Sequence, residues 1–290
     1  MRFAMFEQDG RVGIAVSHGE RLQGFGSDHP DYPGDLDALL ARGADLEVVG
    51  RFLESAPEIS LSAKMLLPPL RAPGKIVCVG LNYAAHSAEA GYELPAYPTL
   101  FARFASSLTG HEAPIVLPTV SEQLDYEGEL VAVIGRGGRS IPKEKALDHV
   151  AGYSIFNDAS IRDYQFKTPQ WTIGKNFDHT GAFGPFLVTP DELPPGCKGL
   201  SLRTRLNGAV MQEASTSDMM FDVASLVSIL SEVMTLSPGD LIVTGTPSGV
   251  GYARTPQVFM KPGDVCEVEI EKVGVLRNTV EKQRIVSLTP

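Results

Sequence analysis

The sequence predicts a strand-rich α+β fold, and three observations carry that prediction. Short apolar runs of strand length recur between Gly/Pro turns. One long stretch alone, around residues 217–236, shows a strong helical apolar stripe. Strands and helices do not alternate regularly, which disfavours a doubly wound parallel sheet. The length, 290 residues, suffices for one large domain or a large one with a small companion.

The opening, "MRFAMFEQDGRVGIAVSHGERLQGF", reads as short strands separated at Asp9-Gly10 and His18-Gly19. "DLDALLARGADLEVVGRFLESAP" carries helical apolar spacing, interrupted at Gly43 and ended before Pro57. The proline-rich "LLPPLRAPGK" reads as a linker, so residues 1–70 are expected to form a small N-terminal α+β domain and residues 71–290 the main one. Beyond it, "KIVCVG", "ELVAVIG", "VAGYSIFND", "DLIVTG" and "DVCEVEI" read as strands, the first four apolar enough to be buried on both faces. Ser237-Pro238-Gly239-Asp240 and Lys261-Pro262-Gly263-Asp264 place proline then glycine at the centre of type II turns. "CEVEIEKVGVLRNTVEK" alternates and doubles back near Val273-Gly274 as a hairpin. In the helix, Val223, Leu226, Val227, Leu230 and Val233 or Met234 form the stripe, with Ser217 or Asp218 as the expected cap.

Composition narrows the function classes. With 43% hydrophobic and 21% charged residues the chain reads as an ordinary soluble protein, with no apolar run long enough to span a bilayer. A net charge of −10 without a basic stripe argues against nucleic acid. The three cysteines, Cys78, Cys197 and Cys266, form no CxxC and no even framework, which fits reduced thiols and a cytoplasmic location. His18, His29, His111, His149 and His179 show no metal-binding spacing. Gly245-Thr246-Pro247-Ser248-Gly249 does not match the nucleophile elbow G-x-S-x-G.

Acidic residues carry the chemistry. In "DYEGELVAVIG", Glu127 and Glu129 share one face of a strand with Val131 and Val133. A generic Glu-x-Glu is most often a solvated strand end. Here the following run is apolar on both faces, so two like charges enter a core, where unpaired charge is costly and a divalent cation offsets it. "AGYSIFND" ends a second apolar strand on Asp158. Three carboxylates without nearby histidine or cysteine describe a hard oxygen site for Mg²⁺ or Mn²⁺, although spacing alone does not bring Asp158 to the glutamates. In "GLNYAAHSAEAG", His86 and Glu89 would share a helical face within hydrogen-bond reach, as an acid/base pair or as a solvated turn.

Six blocks stand in order: "VCVGLNYAAHSAE", "DYEGELVAVIG", "GYSIFNDASIRDYQ", "TIGKNFDHTGAFGP", "LNGAVMQEASTSDMMF" and "GDLIVTGTPSGVG". Through them the chain resembles the fumarylacetoacetate hydrolase superfamily, across roughly residues 72–283. The resemblance implies a mixed β-sandwich roll, commonly a homodimer, with Mg²⁺ or Mn²⁺ held by Glu127, Glu129 and Asp158. It implies a small-molecule 2-oxo acid substrate, and as leading expectation the hydrolysis of a C–C bond in an acylpyruvate-like β-diketo acid of the kind met in aromatic-compound catabolism. His86 with Glu89 would activate water, on a short segment that orders over substrate between Gly80 and Gly91. Lys175 would stabilise developing oxyanions. Arg162, Gln165, Thr246 and Tyr83 are expected to bind substrate, Arg162 with Asp163 or Asp158 as possible partners. Arg103 stands where relatives often show lysine, its role open. Isomerisation, decarboxylation or hydration at the same site is the alternative, and a catalytically silent metal-binding protein the remote one.

Overall fold

Strand Gly128–Ile134 is buried along its whole length, as the continuous apolar run "ELVAVI" requires, and it sits inside a large mixed sheet. The computed structural model describes residues 1–284 apart from 20, 61, 63, 64, 90, 92 and 94. From one edge inward the sheet runs Glu58–Ile59, Arg21–Gly26, Arg11–His18, Arg2–Gln8, Gly181–Val188, Val150–Asp158 and Gly128–Ile134. It continues through Leu241–Val243 and Ile76–Gly80 to Thr99–Arg103. Leu241–Val243 runs parallel to Ile76–Gly80, while the pairs on either side are antiparallel.

The strands of the first sixty residues extend this sheet. Arg2 pairs with Val188 and Phe3 with Leu187, and Leu66–Leu67, inside the expected linker, pairs with Met5 and Phe6. Helices Leu36–Ala41 and Leu46–Leu53 break at Gly43, whose φ of +67° suits glycine, and are capped by Asp35 and Asp45.

A second sheet of five strands, Ala209–Ser215, Ser201–Leu206, Val265–Ile270, Gly274–Lys282 and Ile115–Leu117, packs on the first. Alternation divides strand Gly128–Ile134 between two cores: Leu130, Ala132 and Ile134 face the second sheet, Val131 and Val133 the N-terminal strands and helices. Burying each of the Leu, Ile and Val side chains contributes about 1.5–3 kcal/mol, so the strand is anchored from both sides. Both Pro-Gly turns form as predicted, with Gly239 at φ +86° and Gly263 at φ +93°. The hairpin joins Val265–Ile270 to Gly274–Lys282.

The long helix runs Val223–Val233 and corrects one expectation. Its cap is Asp222, whose carboxylate accepts the Ser225 N–H at 2.8 Å, because residues 216–218 form their own 3-10 turn capped by Ser215. Val233 is 58% exposed, so Met234, packed on the core, closes the stripe. Cys78, Cys197 and Cys266 are free and buried. Among the described residues no helix is long and apolar enough to cross a membrane.

Candidate metal centre and active site

The sheet register brings three carboxylates together. Gly128 pairs with Asn157 and Glu129 with Phe156, and the Asp158 N–H donates to the Glu127 carbonyl at 2.8 Å. Paired residues share a face, so the odd positions Glu127 and Glu129 of one strand lie on the same side as the even position Asp158 of the other. Glu127, Glu129 and Asp158 are all buried, and one oxygen of each lies within 4.8 Å of the others.

Three cations answer them. Lys175, at the end of the short helix Thr172–Lys175, donates to Glu127 Oε2 at 2.8 Å and to Asp158 Oδ2 at 2.7 Å. Arg162 approaches Glu127 Oε1 at 2.6 Å and donates from Nε to Asp125 Oδ2 at 2.9 Å. Arg103, buried, donates to Asp158 Oδ1 and to Thr180 Oγ1, the latter at 2.7 Å. Burial raises the Glu127 carboxyl pKa, but Lys175 and then Arg162 outweigh it and hold it at about 2. Burial lowers that of Lys175, yet Asp158 and Glu127 carry it above the ordinary lysine value.

Glu129 is the exception. Its carboxylate accepts the Gly245 N–H at 2.5 Å. Burial pushes its pKa well above the ordinary carboxyl value, and the charges of Asp158 and Glu127 push it further. With Glu129 ionised, the four buried carboxylates of Asp125, Glu127, Glu129 and Asp158 face only the three buried cations of Arg103, Arg162 and Lys175 in this cluster. An excess negative charge in a core is costly. A divalent cation at the three converging oxygens offsets it, and an all-oxygen donor set suits a hard ion. The residues present fit such a metal.

Beside the carboxylates lies a cavity of about 190 Å³, lined in part by His86, Glu127, Glu129, Arg162, Gln165 and Lys175. Helix Ala84–Glu89 supplies His86. His86 Nδ1 lies 2.9 Å from Glu89 Oε1, and both Glu89 oxygens accept the Gly249 N–H at 2.9 Å. A carboxylate only accepts, so Nδ1 donates the proton of this bond, and in the neutral ring the lone pair is on Nε2. The helix start is fixed by buried Asn82, which donates to the carbonyls of Thr244 and Phe221 and accepts the Phe221 N–H.

Residues 75–281 match the family model described as fumarylacetoacetate (FAA) hydrolase C-terminal. The chain belongs to the fumarylacetoacetate hydrolase family. A mitochondrial oxaloacetate tautomerase of Xenopus laevis is 38% identical over 288 residues, covering 97% of this chain and 90% of its own. A fumarylacetoacetate hydrolase from psychrophilic Exiguobacterium antarcticum superposes with a TM-score of 0.84 at 37% identity, over 98% of this chain and 100% of its own. Maleylpyruvate hydrolase from Sphingobium sp. SYK-6, solved with manganese(II) and pyruvate, superposes at 0.79 with 28% identity, over 98% and 100%.

Within this family fold, eight of the ten residues singled out in the sequence stand together: Glu127, Glu129, Asp158, Lys175, His86, Glu89, Arg162 and Gln165. Thr246 lines the cavity, but its hydroxyl donates to the Gly128 carbonyl at 3.0 Å and accepts from Gln212 Nε2 at 2.8 Å. In the Gly/Pro loop that carries Thr246, the Gly245 N–H serves Glu129 and the Gly249 N–H serves Glu89. Tyr83 is buried, bridges to Met219 and is not among the cavity-lining residues. Arg162 pairs with Asp125 and Glu127 rather than Asp163 or Asp158; Asp163 instead accepts from Ser121 Oγ at 2.6 Å.

Asp125 was missed by sequence reasoning. Fully buried, it accepts the N–H groups of Gly251 at 2.7 Å and Tyr252 at 2.9 Å while holding Arg162. Gln212, also missed, accepts the Gly128 N–H at 3.0 Å and donates to the Pro247 carbonyl at 2.8 Å, tying the Glu-x-Glu strand to the Gly/Pro loop. Both lay inside the matching blocks, as the first residue of "DYEGE" and the glutamine of "VMQEA". Partners far away in sequence give them their roles.

Proposed function

We propose that this chain is a divalent-metal-dependent enzyme that moves a proton on a short 2-oxo diacid of the oxaloacetate type, interconverting its enol and keto forms. The observation that carries the reading is a small cavity with a buried carboxylate cluster and Lys175 on one side and the His86–Glu89 pair on another. At about 190 Å³ it lies below the roughly 300–1,000 Å³ of sites that take drug-sized ligands, which favours a small diacid over a long-chain acid. Similarity to an oxaloacetate tautomerase over 97% of the chain supports the same choice.

Glu127, Glu129 and Asp158 would hold Mg²⁺ or Mn²⁺, which when bound supplies a Lewis acid for the 2-oxo group. Lys175 remains an ammonium beside Glu127 and Asp158 and stabilises negative charge on the substrate oxygens. Gln165 accepts from Arg162 at 2.8 Å through Oε1, which leaves its amide N–H groups for a substrate oxygen. His86 Nε2 takes a proton from C3 of the keto form, and the C–H electron pair becomes the C2–C3 double bond. The carbonyl pair moves to the oxygen, which takes up a proton to complete the enol; ketonisation is the reverse. Glu89 stabilises the imidazolium that forms between the two steps.

A second reading keeps the site and changes the attacking group. The His86–Glu89 hydrogen bond equally suits activation of water, and maleylpyruvate hydrolase is a structural neighbour at 28% identity, so hydrolysis of a short acylpyruvate is the rival. The test follows enol loss from oxaloacetate and, separately, pyruvate and CO₂ release from acylpyruvates and oxaloacetate, with Mn²⁺ and with EDTA. The tautomerase reading expects chelator-sensitive acceleration of ketonisation and little pyruvate. Faster metal-dependent pyruvate release from an acylpyruvate would select hydrolysis. Absence of every activity with Mn²⁺ present would remove both.

A further inference from the structure

The small cavity ends at a wall of aromatic rings. Phe101, Phe166 and Trp171 line it on one side and line a separate, wider groove of about 640 Å³ on the other. The rings brace one another: Phe101 and Trp171 meet edge-on with centroids 5.6 Å apart, and Phe166 lies 5.0 Å from Tyr252. Trp171 reaches its place because Gly80 has no side chain. A Cβ there would lie 2.4 Å from the indole ring. Gly80 thus serves a close approach between backbone and ring, a role distinct from the hinge that its position beside the His86 segment suggests. The two spaces differ in chemistry. The inner cavity holds Glu127, Glu129, His86 and Lys175; among the described residues the groove is lined by Thr99, Leu100, Lys167 and Gln170 and by no carboxylate.

We propose that Phe166 and Trp171 set the length of the substrate: the wall admits a four-carbon 2-oxo diacid and turns away longer chains, whose tails would need the groove beyond it. This rests on the 2-oxo acid reading above. A substrate anchored by its 2-oxo acid end at the carboxylate cluster extends towards these rings, and each added methylene meets an aromatic edge rather than open space. Removing one ring joins cavity to groove and gives the tail a path. Phe166 is the better probe, because it is 43% exposed and so contributes less to the buried packing than a core ring would. Trp171 precedes the helix that carries Lys175, so it serves as the second variant. Phe101, 4.9 Å below the Lys175 ammonium, is left in place.

The experiment measures dissociation constants by calorimetry for oxaloacetate, 2-oxoglutarate, 2-oxoadipate and 2-oxopimelate. Mn²⁺ is present throughout, and wild type is compared with Phe166→Ala and Trp171→Ala. Wild type should lose affinity along the series by roughly tenfold or more, the size of one or two misfitting methylenes in a closed pocket. In Phe166→Ala, and also in Trp171→Ala if it folds, the ratio of long- to short-chain affinity should rise by roughly tenfold. A flat wild-type series, or an unchanged ratio in Phe166→Ala, overturns the length rule while the 2-oxo acid reading stands. No binding of any of the four to wild type would overturn that reading, and the length rule with it.

Discussion

Glu127 and Glu129 flank Gly128 at the end of a strand in the large sheet; Glu267 and Glu269 flank Val268 in the sheet packed against it. The middle residues meet. A Cβ on Gly128 would lie 2.2 Å from Thr204 Oγ1 and 2.9 Å from a Val268 methyl carbon. The flanking glutamates nevertheless go opposite ways. Glu267 and Glu269 turn towards solvent beside arginines, Arg277 at 3.5 Å and Arg205 at 2.7 Å. Glu127 and Glu129 turn inward, towards Asp158, Lys175 and the cavity. What separates the two pairs is the surroundings. Strand Val265–Ile270 buries one face and leaves the other partly exposed, whereas the strand following Glu127 is buried on both. The same three-residue spacing is therefore a solvated ladder in one sheet and a charged site in the other.

The largest effect expected within this contrast is at the site. His86→Ala should lower turnover by roughly 10²–10⁴-fold if His86 moves the proton, while Mn²⁺ affinity, read by calorimetry, changes little. A loss of turnover under tenfold would reassign His86 to structure. Next comes stability. Asp125→Ala takes one carboxylate from the buried Arg162 and leaves the Gly251 and Tyr252 N–H groups without their acceptor, and should destabilise the fold by roughly 3–5 kcal/mol in denaturant titration. Glu269→Ala, which breaks an exposed pair, should cost under about 1 kcal/mol. Comparable losses would mean that burial does not distinguish the two kinds of pair. Gly128→Ala tests the contact between the sheets. Overpacking against Thr204 and Val268 should cost about 1–3 kcal/mol, and a neutral result would show that the sheets separate easily.

The smallest effect concerns His111, beside the edge of the second sheet. Burial lowers its pKa from the ordinary 6.5, Arg277 adds to that, Glu112 opposes it, and its Nδ1 accepts the Arg277 N–H at 3.1 Å. The folded state thus favours the neutral ring. Its stabilising contribution is present above 6.5 and is lost as pH falls through that value towards the lowered one. Wild type should show this loss in its melting temperature, and His111→Gln should flatten it. Parallel curves would mean that other groups dominate.

Much of the site was legible because alternation is local. The parity of Glu127 and Glu129 with Val131 and Val133, and the apolar run after them, point inward on sequence grounds alone, and the Cβ clash at Gly128 explains the glycine between them. The helical spacing of His86 and Glu89 was equally readable. What escaped depended on contacts across the chain. Asp158 joins the glutamates through strand register, and Arg103, whose role the sequence leaves open, holds Asp158 across 55 positions. Asp125 gains its weight from residues 162, 251 and 252. The helix cap was misplaced because Ser217 and Asp218 close a turn of their own.

The central claim is that the inward Glu-x-Glu pair with Asp158 holds a divalent cation and the outward pair does not. Calorimetric titration of Mn²⁺ into wild type, Glu129→Gln and Glu269→Gln tests it most directly. Saturable binding that is abolished in Glu129→Gln and unchanged in Glu269→Gln is the expected result. Wild-type and Glu129→Gln proteins binding Mn²⁺ equally, or wild type not binding it at all, would contradict the account.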